Sequence, residues 1–145
     1  MNNYQHIIVG VDLSAESHQV IERAVQIAKN HKAKLLLAHI IEPLAFAYGG
    51  DIPMDLTQVQ EQLQTQARIQ LHKLAKQFDI DSAQCHLLVG QPAAELHRLA
   101  AENQSELIIV GSHGRRGLAL ILGSTANSVL HGAHCDVLAV RVQEQ

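Results

Sequence analysis

Short apolar runs alternate with helical patterns along the whole chain. His6 to Val11 is rich in β-branched residues and stops at Asp12, which predicts a first strand. Ser14 is placed to cap a following helix, in which Val20, Ile21, Ala24, Val25, Ile27 and Ala28 form one apolar face. Lys34 to Ile41 returns to strand character. The stretch from Glu42 to Pro53 contains Pro43, Gly49, Gly50 and Pro53 and reads as a loop. Leu56, Val59, Leu63, Ala67, Leu71, Leu74 and Phe78 then recur at helical spacing. They predict a long amphipathic helix whose Gln-rich opposite face is assigned to solvent. Gln84 to Val89 reads as a third strand, ended by Gly90. Pro92 suits the first position of a helix running to about Glu102, with Leu96, Leu99 and Ala100 inward. Leu107 to Val110 is a fourth strand, Thr125 to about Gly132 a short helix, and Val137 to Val142 a fifth strand.

Strands joined by connections of this length predict an open parallel α/β sheet, because each connection allows a right-handed crossover. Ligands of such sheets bind beyond the carboxyl ends of the strands, where the strand order reverses. Asp12, Ile40 to Glu42, Gly90 and Gly111 all fall at predicted carboxyl ends.

Composition narrows the class. The 145 residues fit a single domain over 1–145, with no repeat or linker to divide it. Apolar content of 47% with 17% charged residues describes an ordinary globular chain. A net charge of −3 argues against nucleic acid as a partner. No apolar run approaches the ~20 residues of a membrane helix, so no membrane partner is expected. Cys85 and Cys135 are too few for a secreted disulfide scaffold and read as small apolar residues. Met1 to Gln5 shows no export signal, so the expected location is cytoplasmic.

The segment from Ile108 to Thr125 carries the chemistry. Gly111, Gly114 and Gly117 allow the backbone to approach a ligand closely. Gly123, Ser124 and Thr125 open a helix with free N–H groups and small hydroxyls, which suits phosphate oxygens. Arg115 and Arg116 add two cations beside them. The competing reading is a glycine-rich turn in which Ser124 or Thr125 merely caps the helix. A P-loop is excluded by the absence of Gly-x-x-x-x-Gly-Lys-Ser/Thr, and the ordinary dinucleotide fingerprint by the lack of glycine in Val11 to Ala15. His131, His134 and Cys135 lack a convincing fourth ligand, so packing and helix C-terminal complementarity account for them and no metal is assigned. His39 in its apolar strand reads as a hydrogen-bonded core residue. His113 lies within the glycine loop. No local Ser-His-Asp or Cys-His grouping nominates a nucleophile, so no catalytic residue is assigned.

Across essentially the full length, the chain resembles the universal stress protein family. The matching segments are Val9-Gly10-Val11-Asp12-Leu13-Ser14, Ala38-His39-Ile40, Val110 to Gly117, Gly123-Ser124-Thr125 and Cys135 to Val140. The resemblance implies a Rossmann-like, adenine nucleotide hydrolase-like sheet in the order 3-2-1-4-5 with helices on both faces. It also implies dimerisation and, in one branch of the family, ATP with Mg²⁺ between the first and fourth strands. By that resemblance Val11 and Asp12 border the ribose or a phosphate-bound metal, the backbone around Ile40 meets the adenine edge, and Val110 and Gly111 flank the sugar. Gly114, Arg115, Gly123, Ser124 and Thr125 would then hold the phosphates. The ATP-binding branch usually has Gly-x-x-Gly, nine residues, then Gly-Ser/Thr. Here the spacer Arg115 to Leu122 is one residue shorter.

The expected function is therefore that of a cytoplasmic regulator or sensor that binds an adenine nucleotide, with at most slow hydrolysis. The alternative is a dimeric interaction protein of the same fold whose glycine loop is structural. The homodimer is expected to form through the fifth strand, Val137 to Val142, whose apolar edge would otherwise lie open.

Overall fold

The structure is a computed structural model that describes residues 3–43, 57–112 and 124–143. Most of the predicted Glu42–Pro53 loop lies outside these residues, as do His113, Gly114, Arg115, Gly117 and Gly123 of the glycine loop. The elements run β1 (His6–Gly10), α1 (Ser17–His31), β2 (Lys34–Ile41), α2 (Thr57–Gln77), a turn of 3₁₀ helix (Ser82–Gln84), β3 (Cys85–Val89), α3 (Pro92–Glu102), β4 (Leu107–Gly111), α4 (Ser124–His131) and β5 (Asp136–Val140).

The strands form one sheet in the order β3-β2-β1-β4-β5, parallel throughout. β1 holds the middle, with Ile8 opposite Leu36 of β2 and Ile108 of β4. A central parallel strand is covered on both faces, so its residues are apolar without alternation. Ile7, Ile8 and Val9 are fully buried. Odd and even positions nevertheless enter different cores. Ile7, Val9, Leu35, Leu37, Leu107 and Ile109 pack with α1 and α2, while Ile8, Ala38, Ile108 and Val110 pack with α3 and α4. Complete burial of each large side chain contributes about 1.5–3 kcal/mol before chain entropy is counted.

Three sequence expectations are corrected here. Ser14 does not cap α1; the cap position is Glu16, which makes no side-chain bond to the helix. The Ser14 N–H donates instead to Asp12 Oδ1, and the Ser14 carbonyl accepts from Ser17 N–H, so a turn is interposed before the helix. In α2, Val59 and Leu63 were expected inward but are 43% and 40% exposed. The helix docks through Ala67 and Leu71, as expected, and through Ala75, with Leu74 partly buried against the same core. β5 starts at Asp136 and ends at Val140, not at Val142. Val142 lies beyond the strand and is buried against the α1 side of the sheet.

Gly90 ends β3 at φ +155°, and a Cβ there would stand 2.8 Å from Glu95 Cγ in the first turn of α3. Pro92 occupies the start of that helix as expected, and Gln91 Oε1 accepts from Ala94 N–H at 2.7 Å as its cap.

Of the three buried residues of α2, only Leu71 is large, and it is fully buried. Leu71→Ala is expected to destabilise the protein by about 2–5 kcal/mol, read as a lower urea midpoint with little change in slope. A shift under half a kcal/mol would show that α2 is held by something other than this contact.

Candidate functional site

The chain reverses its winding at β1 and β4. α1 leaves β1 toward one face, and α4 packs on the other face with β4 and β5. Between the carboxyl ends of these two strands lies a crevice of ≈ 810 Å³. Its volume falls within the range of small-molecule sites, and it sits where open α/β sheets bind ligands.

Val11, Asp12, Ile40, Val110, Gly111 and Thr125 all line it, so the structure brings together six of the ten residues expected from the sequence. Ser124 begins α4 beside them. Gly114, Arg115 and Gly123 lie outside the described residues.

Asp12 is held by the turn that follows β1. Its Oδ1 accepts from Ser14 N–H at 3.0 Å and from the Ser17 hydroxyl at 3.2 Å. Ser17 is only 2% exposed, so its hydroxyl is a fixed donor. Leu13, between Asp12 and Ser14, takes the left-handed conformation at φ 61°. Asp12 itself remains exposed at the crevice. Partial burial pushes its carboxyl up, but the hydrogen bonds from Ser14 and Ser17 and from the backbone outweigh this and hold it below the ordinary carboxylate value.

His39 was expected to be a hydrogen-bonded residue of the strand interior. It is half-buried, and its Nδ1 lies 2.7 Å from Val11 O while the ring also lines the crevice. A carbonyl oxygen only accepts, so Nδ1 carries the proton. One residue earlier, Val11 N–H donates to Ala38 O at 2.9 Å. The backbone of Ala38 therefore faces β1. By strand alternation the N–H and C=O of Ile40 face the same way, past the last β1–β2 pair, Gly10 with Ala38. Ile41 faces the other side, its carbonyl accepting from Gly90 N–H at 2.9 Å. The geometry thus presents a backbone donor and acceptor of Ile40 at the crevice.

Sequence reasoning missed the wall supplied by α2. Leu63, Gln66, Ala67 and Gln70 line the crevice, although the Gln-rich face was assigned to solvent. The signal was present: Gln66 and Gln70 are one turn apart and flank the docked Ala67. Gly111 lines the crevice and also serves the packing behind it. A Cβ there would stand 3.3 Å from Val20 Cγ2 and 3.7 Å from Val142 Cγ1, so its missing side chain accommodates the protein's own packing. Among the described residues, no three His, Cys, Asp or Glu side chains gather in an arrangement that could hold a metal. No helix among them is long and apolar enough to cross a membrane.

A five-stranded parallel sheet in this order, with its crevice at the β1–β4 reversal, defines a Rossmann-like α/β protein. The Universal stress protein family matches residues 3–141, and the chain belongs to that family. It is similar to two proteins of Coxiella burnetii. Universal stress protein A homolog 2 is 42% identical over 99% of both chains. Universal stress protein A homolog 1 is 39% identical over 98% of this chain and 99% of the relative. Among solved structures, a universal stress protein in complex with cAMP matches with a TM-score of 0.68 and 26% identity, over 97% of this chain and 98% of that one.

The depressed acidity of Asp12 has a signed consequence. A carboxyl held below its unfolded value stabilises the fold above the unfolded value, and that contribution disappears as the pH falls through the folded value. The stability difference between wild type and Asp12→Asn should therefore be largest near neutrality and shrink below about pH 4. Urea unfolding across that range checks this; a difference that persists unchanged into strong acid would contradict the assignment.

Proposed function

We propose that this protein binds an adenine nucleotide, with ATP the expected ligand, in the crevice beyond β1 and β4 and acts as a stress-response regulator or sensor. The observation that carries the reading is the juxtaposition of the Asp12 carboxylate with the outward N–H and C=O of Ile40 across one crevice. A carboxylate suits ribose hydroxyls, and a paired backbone donor and acceptor suit the edge of an adenine ring. Family membership and the cAMP complex of a 26% identical relative support the same ligand class.

The residues present fit the ligand in chemistry as well as size. Ile40 and Val110 offer apolar walls, 9% and 3% exposed, for a base and sugar. Asp12, Glu16 and Glu42 make that side of the crevice acidic, so bare phosphates are disfavoured there. The phosphates belong at the start of α4, near Ser124 and Thr125, where the helix supplies N–H groups and a favourable dipole. By the family resemblance Gly114, Arg115 and Gly123 share the phosphate role, and they lie outside the described residues. Mg²⁺ would be carried mainly by the phosphates, as is usual for this ion, and Asp12 would serve either the ribose or that metal. Within the site Asp12 binds and orients, and no general base is assigned. The free Cys85 and Cys135 suit a reducing, cytoplasmic compartment.

The reading includes a homodimer through β5, an edge strand of the sheet. Ala139 is exposed on this edge, whereas Val140 is buried. Two copies meeting antiparallel would satisfy the open N–H and C=O groups of both.

Two measurements test these proposals. Titration calorimetry should show ATP binding, weakened by about 1–3 kcal/mol in Asp12→Ala with the fold intact; unchanged affinity removes Asp12 from the site. Light scattering should give a dimeric mass at micromolar concentration, shifted toward monomer by Ala139→Lys. A monomeric wild type would defeat the β5 interface without touching the nucleotide site.

A further inference from the structure

The segment that follows β5 forms part of the crevice, and one side chain of α1 holds it there. The Val140 carbonyl accepts from Ser112 N–H at 2.7 Å, closing the last contact of β5 with the β4 side. Three residues beyond, Gln143 is tied back to Gln19, 124 positions away in sequence. Gln19 Nε2 donates to Gln143 O at 2.8 Å, and Gln143 N–H donates to Gln19 Oε1 at 3.0 Å. The primary amide thus serves both backbone groups of one residue, as a neighbouring strand would. Between the two anchors, Val142 is 6% exposed and lines the crevice. A Cβ at Gly111 would meet Val142 Cγ1 at 3.7 Å and Cγ2 of Val20, the residue after Gln19, at 3.3 Å. One turn of α1 therefore sets both walls around Gly111.

We propose that Gln19 is a positioning residue for the ligand: by clamping Gln143 it holds Val142 as the crevice wall beside Gly111. The proposal deepens the nucleotide reading above and rests on it for the ligand. In that reading the space beside Gly111 belongs to the sugar, so the wall limits what the ribose can carry. Loosening the clamp widens this side and admits bulk at the ribose hydroxyls.

The test compares ATP with 2′/3′-O-(N-methylanthraniloyl)-ATP on the full-length protein. Wild type should prefer ATP. Gln19→Ala and Val142→Ala should each shift the preference by about tenfold toward the ribose-substituted nucleotide, the scale of a methylene-sized change in an apolar pocket. Gln19→Glu, which keeps the acceptor for Gln143 N–H and loses the donor, should give a smaller shift. A purely stabilising role would lower both affinities together and leave their ratio unmoved. An unmoved ratio in a protein that binds ATP overturns the proposal and leaves the nucleotide reading standing. A wild type that binds neither nucleotide overturns that reading and this proposal with it. Hydrogen exchange on the ligand-free protein checks the clamp itself: the Gln143 amide should be protected in wild type and lose protection in Gln19→Ala. Equal protection in both overturns it.

Discussion

The pairing of β1 with β2 on one side and β4 on the other is the constraint on which the rest of the molecule depends. It places Ile7, Ile8 and Val9 at the centre of the sheet, where both faces must be covered, and so demands helices above and below. It also forces the connections to depart in opposite directions from adjacent strands. Helices that diverge from neighbouring strand ends cannot close over the gap between them, and the crevice is the space they leave. Gly10 contributes to this arrangement. A Cβ there would come within 3.0 Å of Leu96 Cδ1, so its absence lets α3 settle close under β1.

The turn after β1 carries a local cost at the same place. Leu13 at φ 61° is in a region that costs an L-residue roughly 1–2 kcal/mol. The Asp12–Ser14 bond, the Ser17 hydroxyl and the packing of Leu13 against the core offset it. The result is a carboxylate fixed in orientation yet exposed, which is the state a ligand-binding acid requires.

Polar residues of the crevice show a second regularity. His39, which lines the crevice, and Gln19, on α1 beside it, spend their side chains on the backbone of Val11 and Gln143, just beyond the ends of β1 and β5. These bonds replace ladder pairings that the strands no longer supply, so the walls of the site stay ordered past the last rung. At buried Val11 the cost of an unpaired carbonyl explains why a side chain is recruited there.

How much of this was legible in the sequence follows from the range of the interactions involved. Local apolar periodicity determined the five strands and their helices, because a buried strand or helix face is written in residues a few positions apart. β2 over Lys34–Ile41 and α3 from Pro92 match the expectation residue for residue at those points. Position at strand ends also marked Asp12, Ile40 to Glu42, Gly90 and Gly111, since a parallel sheet gathers its carboxyl ends along one edge; all but Gly90 line the crevice, and Val110 was added by the family resemblance. The glycine segment with Gly114, Arg115 and Gly123 was legible as a motif, and its placement lies outside the described residues. What the tertiary structure alone decided depends on partners distant in sequence. The glutamines of α2 read as solvated until the helix is laid over the crevice. Val142 reads as one more strand residue until Gln19, across the fold, draws the chain aside and buries it beside Gly111. A hydrogen bond or a packed wall between residues over a hundred positions apart leaves no local period, so only the folded chain reveals it.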